Sequence, residues 1–251
     1  QHQTRLVGGV DEAGRGPLAG PVVAAVVVFD LHRTRPAGIN DSKKLTDQAR
    51  EKIARRIVRN SLSYGISCAE PDEIDRYNIL QATKIACRRA LKICNQKLKA
   101  LGHESVGGLV TDALFFEDLP LPQHNLVKGD CRSVSVSAAS ILAKVVRDRL
   151  MIKLDGEFPD YGFAKHKGYP TRFHYERLYD RGPSSVHRFT FRGVTDKEAP
   201  KPVVYSRTYQ SILAKVADPE NRSEWIENTD DAELRSILDG LTRRECLEFF
   251  S

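Results

Sequence analysis

No uninterrupted apolar run in the sequence approaches the roughly 20 residues that a membrane-spanning helix needs, which argues against a helical membrane protein. The opening residues, QHQTRLVGG, lack the long apolar stretch of a secretory signal, so a cytoplasmic location is expected. Cysteine is scarce: Cys68, Cys87, Cys94, Cys131 and Cys246, an odd number with no CxxC pair. That pattern disfavours a disulfide scaffold or a zinc site and leaves reduced packing thiols, with Cys87 and Cys94 seven residues apart on one helical face. Internal repeats and low-complexity tracts are missing as well. So is the Gly-Lys-Ser/Thr of a P-loop, and the one glycine cluster, Gly14-Arg15-Gly16, is followed by a strand pattern where a dinucleotide fingerprint needs a helix.

What remains is a chain of 251 residues, 41% of them hydrophobic, enough for one substantial core or one domain plus an appendage. The net charge of +6 is unevenly spread. Residues 196–251 hold 8 Lys+Arg against 12 Asp+Glu, whereas residues 1–195 hold 31 against 21. A basic body suits a polyanionic partner such as nucleic acid, although charge alone shifts the odds little.

The hydrophobic pattern predicts strands at RLVGGVDEAG and PVVAAVVVFD, antiparallel neighbours joined by a short glycine-rich connection. A helix capped by Thr46 follows, then a third strand at SLSYGISCAE and one long helix from Pro71. Two short strands, GGLVTDAL and HNLVKGD, precede a strongly periodic helix at SVSAASILAKVVRDRLMIKLDGEF; a short helix ends at Gly182. About five strands flanked by helices read as an α/β domain with a mixed sheet.

Asp11 and Glu12 are adjacent, so on a regular strand they point to opposite faces unless the strand ends or bulges there. Asp112 and Asp130 each close an apolar approach that reads as a strand. Four carboxylates at strand ends in one sheet could converge, and unpaired they would raise one another's pKa values. A hard divalent cation, Mg²⁺ or Mn²⁺, relieves that repulsion, and two such ions can clamp both oxygens of a phosphodiester displacement. Taken singly, each acid has an ordinary alternative as a helix cap, a turn residue or a solvated charge. Gly14-Arg15-Gly16 reads either as a plain turn or as a place for a phosphate or sugar edge. Lys43 and Lys44 sit in DSKKL, which also reads as a solvated helix start. YGFAKHKGYPT interleaves aromatics with lysines, which suits stacking on nucleic acid or simple core packing.

Six blocks in order, VDEAGRGPLAGPVVAAVVV, DSKKL, NILQATKIA, KGDCRSVSVSAASILAKVVRDRLM, YGFAKHKGYPT and SVHRFTF, resemble bacterial ribonuclease HII over roughly residues 5 to 194. The resemblance implies a ribonuclease-H-like fold with a helical C-terminal portion. It implies Mg²⁺- or Mn²⁺-dependent cleavage of the RNA strand of RNA–DNA hybrids and of single ribonucleotides embedded in duplex DNA. It places the acidic quartet on Asp11, Glu12, Asp112 and Asp130, and the junction-reading turn on Gly14, Arg15 and Gly16. Tyr169 is implied as the ring that stacks on the sugar after the ribonucleotide. Lys43, Lys44 and Asn78 lie in blocks that touch the nucleic-acid backbone in relatives. HRFTFRGV departs from the usual ending of the last block, a difference that touches packing more than chemistry. The sister enzyme, ribonuclease HIII, carries an N-terminal substrate-binding domain; only ten residues precede Asp11, which disfavours that reading.

Two other readings stay open at this point: a non-catalytic hybrid-binding module, and another ribonuclease-H-fold nuclease such as a resolvase, which would lack the Gly-Arg-Gly and HKGY blocks. Residues 195–251 read as an acidic, helical extension that packs on the domain or docks an unknown protein partner. A monomer is expected.

Overall fold

A computed structural model describes residues 6–30, 39, 46–112, 114–126 and 129–194, with the main chain alone at Asp130 and Cys131. Lys43, Lys44 and the expected C-terminal extension lie outside the described residues. Five strands form one mixed sheet in the order β3-β2-β1-β4-β5. β1 (Val7–Ala13) and β2 (Val22–Val28) are antiparallel, as the short connection implies, and β3 (Ser63–Ala69) continues the antiparallel half. β4 (Gly108–Thr111) and β5 (Gln123–Asn125) run parallel to β1.

β2 is the central apolar plank, every residue of VVAAVVV being buried. Its alternate side chains feed two cores. On one face Val23, Ala25 and Val27 meet α1 (Asp47–Asn60) and α4 (Val134–Glu157) through Ile53, Ile57, Ile141, Leu142 and Val145. On the other, Val22, Ala24, Val26 and Val28 meet α2 (Pro71–Ala100) through Ala86, Ala90, Cys94 and Leu98. Each fully buried valine or leucine contributes about 1.5–3 kcal/mol, and this double coverage holds β1 between two helical layers. Cys68, Cys87 and Cys94 are buried free thiols whose pKa values burial pushes up, as inert packing residues should be.

Thr46 caps α1 by accepting from the Ala49 amide, as expected from sequence. Two expectations need correction. The long helix α2 is kinked at Asn78, whose φ of 66° breaks the ladder. Its Oδ1 accepts from the Leu80 and Gln81 amides and so caps the second segment. The strand expected to run to Asp130 stops at Asn125: the Leu126 amide still bonds Thr111 O at 3.0 Å, and a short helix, α3 (Gly129–Arg132), then takes over. Asp130 therefore opens a helix instead of closing a strand.

A third cluster ties the C-terminal part to the β1–β2 connection. Leu18 and Ala19 pack with Met151 and Leu154 of α4, with Phe163 of α5 (Phe163–His166) and with Leu178 of α6 (Arg172–Arg181). Two main-chain bonds reinforce it, Leu18 N to Gly168 O and Arg188 N to Leu18 O, both 2.8 Å. Gly182 ends α6, as the sequence implies.

Candidate active site

The parallel pairing of β1 with β4 matches Val10 to Thr111, so the next residues, Asp11 inside β1 and Asp112 just past the end of β4, stand side by side. The antiparallel ladder to β2 runs on through Asp11–Ala25, Glu12–Ala24 and Ala13–Val23. No bulge turns the acid pair to one side, so the two carboxylates straddle the sheet at its end. Asp11 faces α4, where the Ser140 hydroxyl meets it, and Glu12 lies on the α2 face with Val10. Asp130 stands in α3, the short helix that follows the adjacent parallel strand β5. A Cβ at Gly129 would lie 3.3 Å from Thr111 O, so the main chain of α3 passes directly beside the end of β4.

Burial and mutual repulsion strain these acids. Asp11 is pushed up to about 7, first by burial and then by Glu12, with Asp112 adding to it; the Ser140 hydroxyl and the Glu12 amide, 2.9 Å from Oδ1, oppose the rise. Glu12 is also raised, by burial and Asp112, against the pull of Arg15, whose Nη1 lies 3.3 Å from Oε1. Glu12 Oε2 is buried without a hydrogen-bond partner. Among the described residues no three acidic, histidine or cysteine side chains form a ready-made metal cluster. The donor chemistry nevertheless suits a hard divalent cation: oxygen ligands only, one of them orphaned, and a charge excess that a cation would cancel.

Next to the acids lies a cleft of ≈ 470 Å³ whose wall includes Glu12, Gly14, Arg15, Gly16, Lys144 and Tyr169. It thus brings together Glu12 of the acid pair, the Gly-Arg-Gly turn and the tyrosine of the HKGY block, with Asp11 one residue behind. Asn78 is not part of it; it lies exposed at the α2 kink.

Two buried arginines, unremarked in the sequence, build the turn. Arg188 donates to Gly14 O (2.7 Å), Arg15 O (3.0 Å) and Gly20 O (2.9 Å). Arg147 donates to Pro21 O (3.0 Å), Ala19 O (3.2 Å) and Lys167 O (3.0 Å). Burial lowers the two guanidiniums to about 10 for Arg147 and about 9 for Arg188, so both stay charged at neutral pH. With the carbonyls of Gly14 and Arg15 held inward, Arg15 and the Gly16 main chain remain at the surface. Gly14 has φ +98° and its Cβ would fall 1.9 Å from Arg147 Nε, so packing demands glycine there. Gly16 differs: it has no positive φ, and a Cβ would meet only the Tyr169 ring edge at 3.8 Å.

Behind Tyr169 lie His174 and His187, both fully buried and both held neutral. Burial, aided by neighbouring histidines, pushes His174 down to about 4 and His187 down to about 3. A buried histidine of depressed pKa stabilises the fold fully above its unfolded value of about 6.5, and that contribution is lost as pH falls toward the folded values. In denaturation from pH 7 to pH 5, a His187→Phe variant should therefore lose less stability per pH unit than the wild type. Equal slopes would contradict the assignment.

Comparison with known proteins agrees with this architecture. The family model for ribonuclease HII matches residues 8–194. Ribonuclease HII of Syntrophotalea carbinolica is 50% identical over 196 residues, which span 76% of this chain and 88% of the relative. The crystal structure of ribonuclease H2 from Pyrococcus horikoshii superposes with a TM-score of 0.63 at 29% identity, covering 75% of this chain and 95% of that one. RNase HII of Archaeoglobus fulgidus, solved in complex with PCNA, gives 0.57 at 27% identity over 76% and 98% of the two chains. The match runs from the strand that carries Asp11 to the last described residue, and the chain belongs to the ribonuclease HII family of endoribonucleases.

Proposed function

We propose that this chain cuts the RNA strand of RNA–DNA hybrids and the 5′ side of single ribonucleotides in duplex DNA, leaving 3′-hydroxyl and 5′-phosphate ends, and so serves ribonucleotide removal. The observation that carries the reading is one cleft in which Glu12 of the acid pair, the clamped Gly14–Gly16 turn and the Tyr169 ring meet. Asp11, Glu12, Asp112 and Asp130 are the residues that would hold Mg²⁺ or Mn²⁺. Such an ion supplies Lewis-acid polarisation of the phosphate and a water of lowered pKa.

The protein's own share is recognition. Arg15 and the Gly14 and Gly16 main chain suit the ribose 2′-hydroxyl, the group that separates RNA from DNA. Tyr169 is 42% exposed, so its ring can meet the next sugar, worth about 1–3 kcal/mol as a stacking contact. Lys144, with Lys43 and Lys44 from their sequence block, suits the backbone phosphates. Since nothing in the fold requires glycine at position 16, its value is the room it leaves for substrate. Gly16→Ala should melt within about 1 °C of the wild type, a surface change within about 0.5 kcal/mol, yet cleave at least about tenfold more slowly. Wild-type rates for that variant would remove the close-approach role.

The direct test incubates the protein with a DNA duplex carrying one ribonucleotide, with and without EDTA, and maps the product ends. Cleavage 5′ of the ribonucleotide that EDTA abolishes supports the reading. Binding without cleavage would favour the hybrid-binding module.

A further inference from the structure

Histidine rings can donate from one nitrogen only when neutral, so fixed main-chain partners reveal their tautomers. The Ser184 amide, which can only donate, points at His187 Nδ1 at 2.9 Å. That nitrogen must accept, so His187 carries its proton on Nε2. Nε2 lies 3.0 Å from His174 Nε2, which therefore accepts. His174 keeps its proton on Nδ1 and donates it to Tyr169 O at 3.0 Å. The Thr171 amide fills the other lone pair of that carbonyl at 2.8 Å.

The neighbouring ring is fixed in the same way. The Gly168 amide donates to His166 Nδ1 at 3.2 Å, so Nε2 donates to Tyr161 O at 2.7 Å. His166 stacks on His174 with centroids 4.5 Å apart and planes 20° apart, and Phe163 meets His174 edge-on at 5.6 Å. Two imidazoles, His166 and His174, thus hold the main chain of Gly168 and Tyr169, with His187 behind His174, while the Tyr169 ring lines the cleft.

We propose that His174 is a positioning residue for Tyr169, the last link of a one-way hydrogen-bond chain from Ser184 through His187, and that this chain sets the preference for an embedded ribonucleotide over a continuous hybrid. The inference rests on the reading of Tyr169 as the ring that meets the sugar beyond the ribonucleotide. Tyr169 lies three residues before the start of α6, which ends at Arg181, and its carbonyl is the point where the buried chain meets the cleft loop. Loss of the His174 donor frees the loop to tilt, which matters most when only one ribonucleotide is present to place the scissile bond. Protonation of either ring would break the chain, at Nε2 of His174, which accepts from His187, or at Nδ1 of His187, which accepts from the Ser184 amide; the depressed pKa values keep it intact at working pH.

The test measures initial rates with Mg²⁺ on two substrates, duplex DNA with one ribonucleotide and a uniform RNA–DNA hybrid, for the wild type and for His174→Leu, His174→Asn and Tyr169→Ala. His174→Leu should lower the single-ribonucleotide to hybrid rate ratio about tenfold, chiefly through kcat. His174→Asn, whose amide can stand in for Nδ1–H, should recover most of it. An unchanged ratio in His174→Leu, or an equal loss on both substrates, would overturn the proposal while Tyr169→Ala still shifted the ratio. If Tyr169→Ala itself left the ratio at the wild-type value, the stacking reading would fail, and the proposal with it. Should the variants fold poorly, ¹⁵N NMR of the wild-type imidazoles decides: Nδ1–H on His174 and Nε2–H on His187 is the expected pattern, and the reverse tautomers would contradict it.

Discussion

Asp112→Asn should abolish cleavage while leaving substrate binding intact. Asn keeps the shape of the side chain and removes its charge. On the register of β1 with β4, Asp112 stands beside Asp11, where its field already raises both Asp11 and Glu12. Loss of one carboxylate from a site of hard oxygen ligands weakens its hold on a divalent cation, and the electrostatic stabilisation at stake is several kcal/mol. About 4 kcal/mol corresponds to a rate loss of about 10³-fold. The affinity for a duplex containing a ribonucleotide should stay level or tighten, since a negative charge near phosphate has been removed while Arg15 and Lys144 remain. Gel-shift and single-turnover rates measure the two effects separately. Wild-type cleavage with Mg²⁺ would end the role of Asp112.

Arg188→Lys should be the most damaging change away from the acids. A guanidinium reaches Gly14 O, Arg15 O and Gly20 O together; an ammonium cannot match that fork and leaves buried carbonyls without donors. Each such loss costs about 1–3 kcal/mol, so destabilisation of about 3 kcal/mol is expected, roughly 6–12 °C in Tm for a domain of this size. The second consequence is chemical. The Gly14–Gly16 turn is no longer held against the fold, and a displacement of about 1 Å is enough for a 10²-fold loss of rate. Calorimetry and rates at 20 °C, where the variant stays folded, separate the two. Wild-type rates on a single-ribonucleotide duplex would show that the turn needs no buried cation.

How far the sequence speaks differs from residue to residue. The antiparallel β1–β2 pair was legible because Val22–Val28 is short, apolar and bounded by turn residues. Asp11 and Asp112 were legible as strand-end charges, a local signal. Asp130 was misplaced because Leu126 and Val127 look like strand residues, whereas pairing with β4 ends at Asn125 and Gly129 opens a helix. The kink at Asn78 does carry a local signal: Asn78 followed by Gln81 is a helix-start spacing inside an otherwise continuous helical pattern. Arg147 and Arg188 carry no local mark at all. Arginine is seldom buried, and the carbonyls these two hold lie more than a hundred residues earlier for Pro21, Ala19 and the Gly14–Gly20 segment. The histidine chain is invisible for a similar reason, since its direction depends on backbone groups that only the fold brings close.

The most direct measurement of the acidic site is Mn²⁺ binding without substrate, followed by calorimetric titration of the wild type and of Asp11→Asn. The carboxylate at position 11 is buried beside Glu12, whose Oε2 has no partner, so the wild type should bind the ion and Asp11→Asn should bind it at least about tenfold more weakly. Equal affinity in the two proteins would mean that these carboxylates do not form the cation site, and the hydrolytic assignment of the cleft would fall with it.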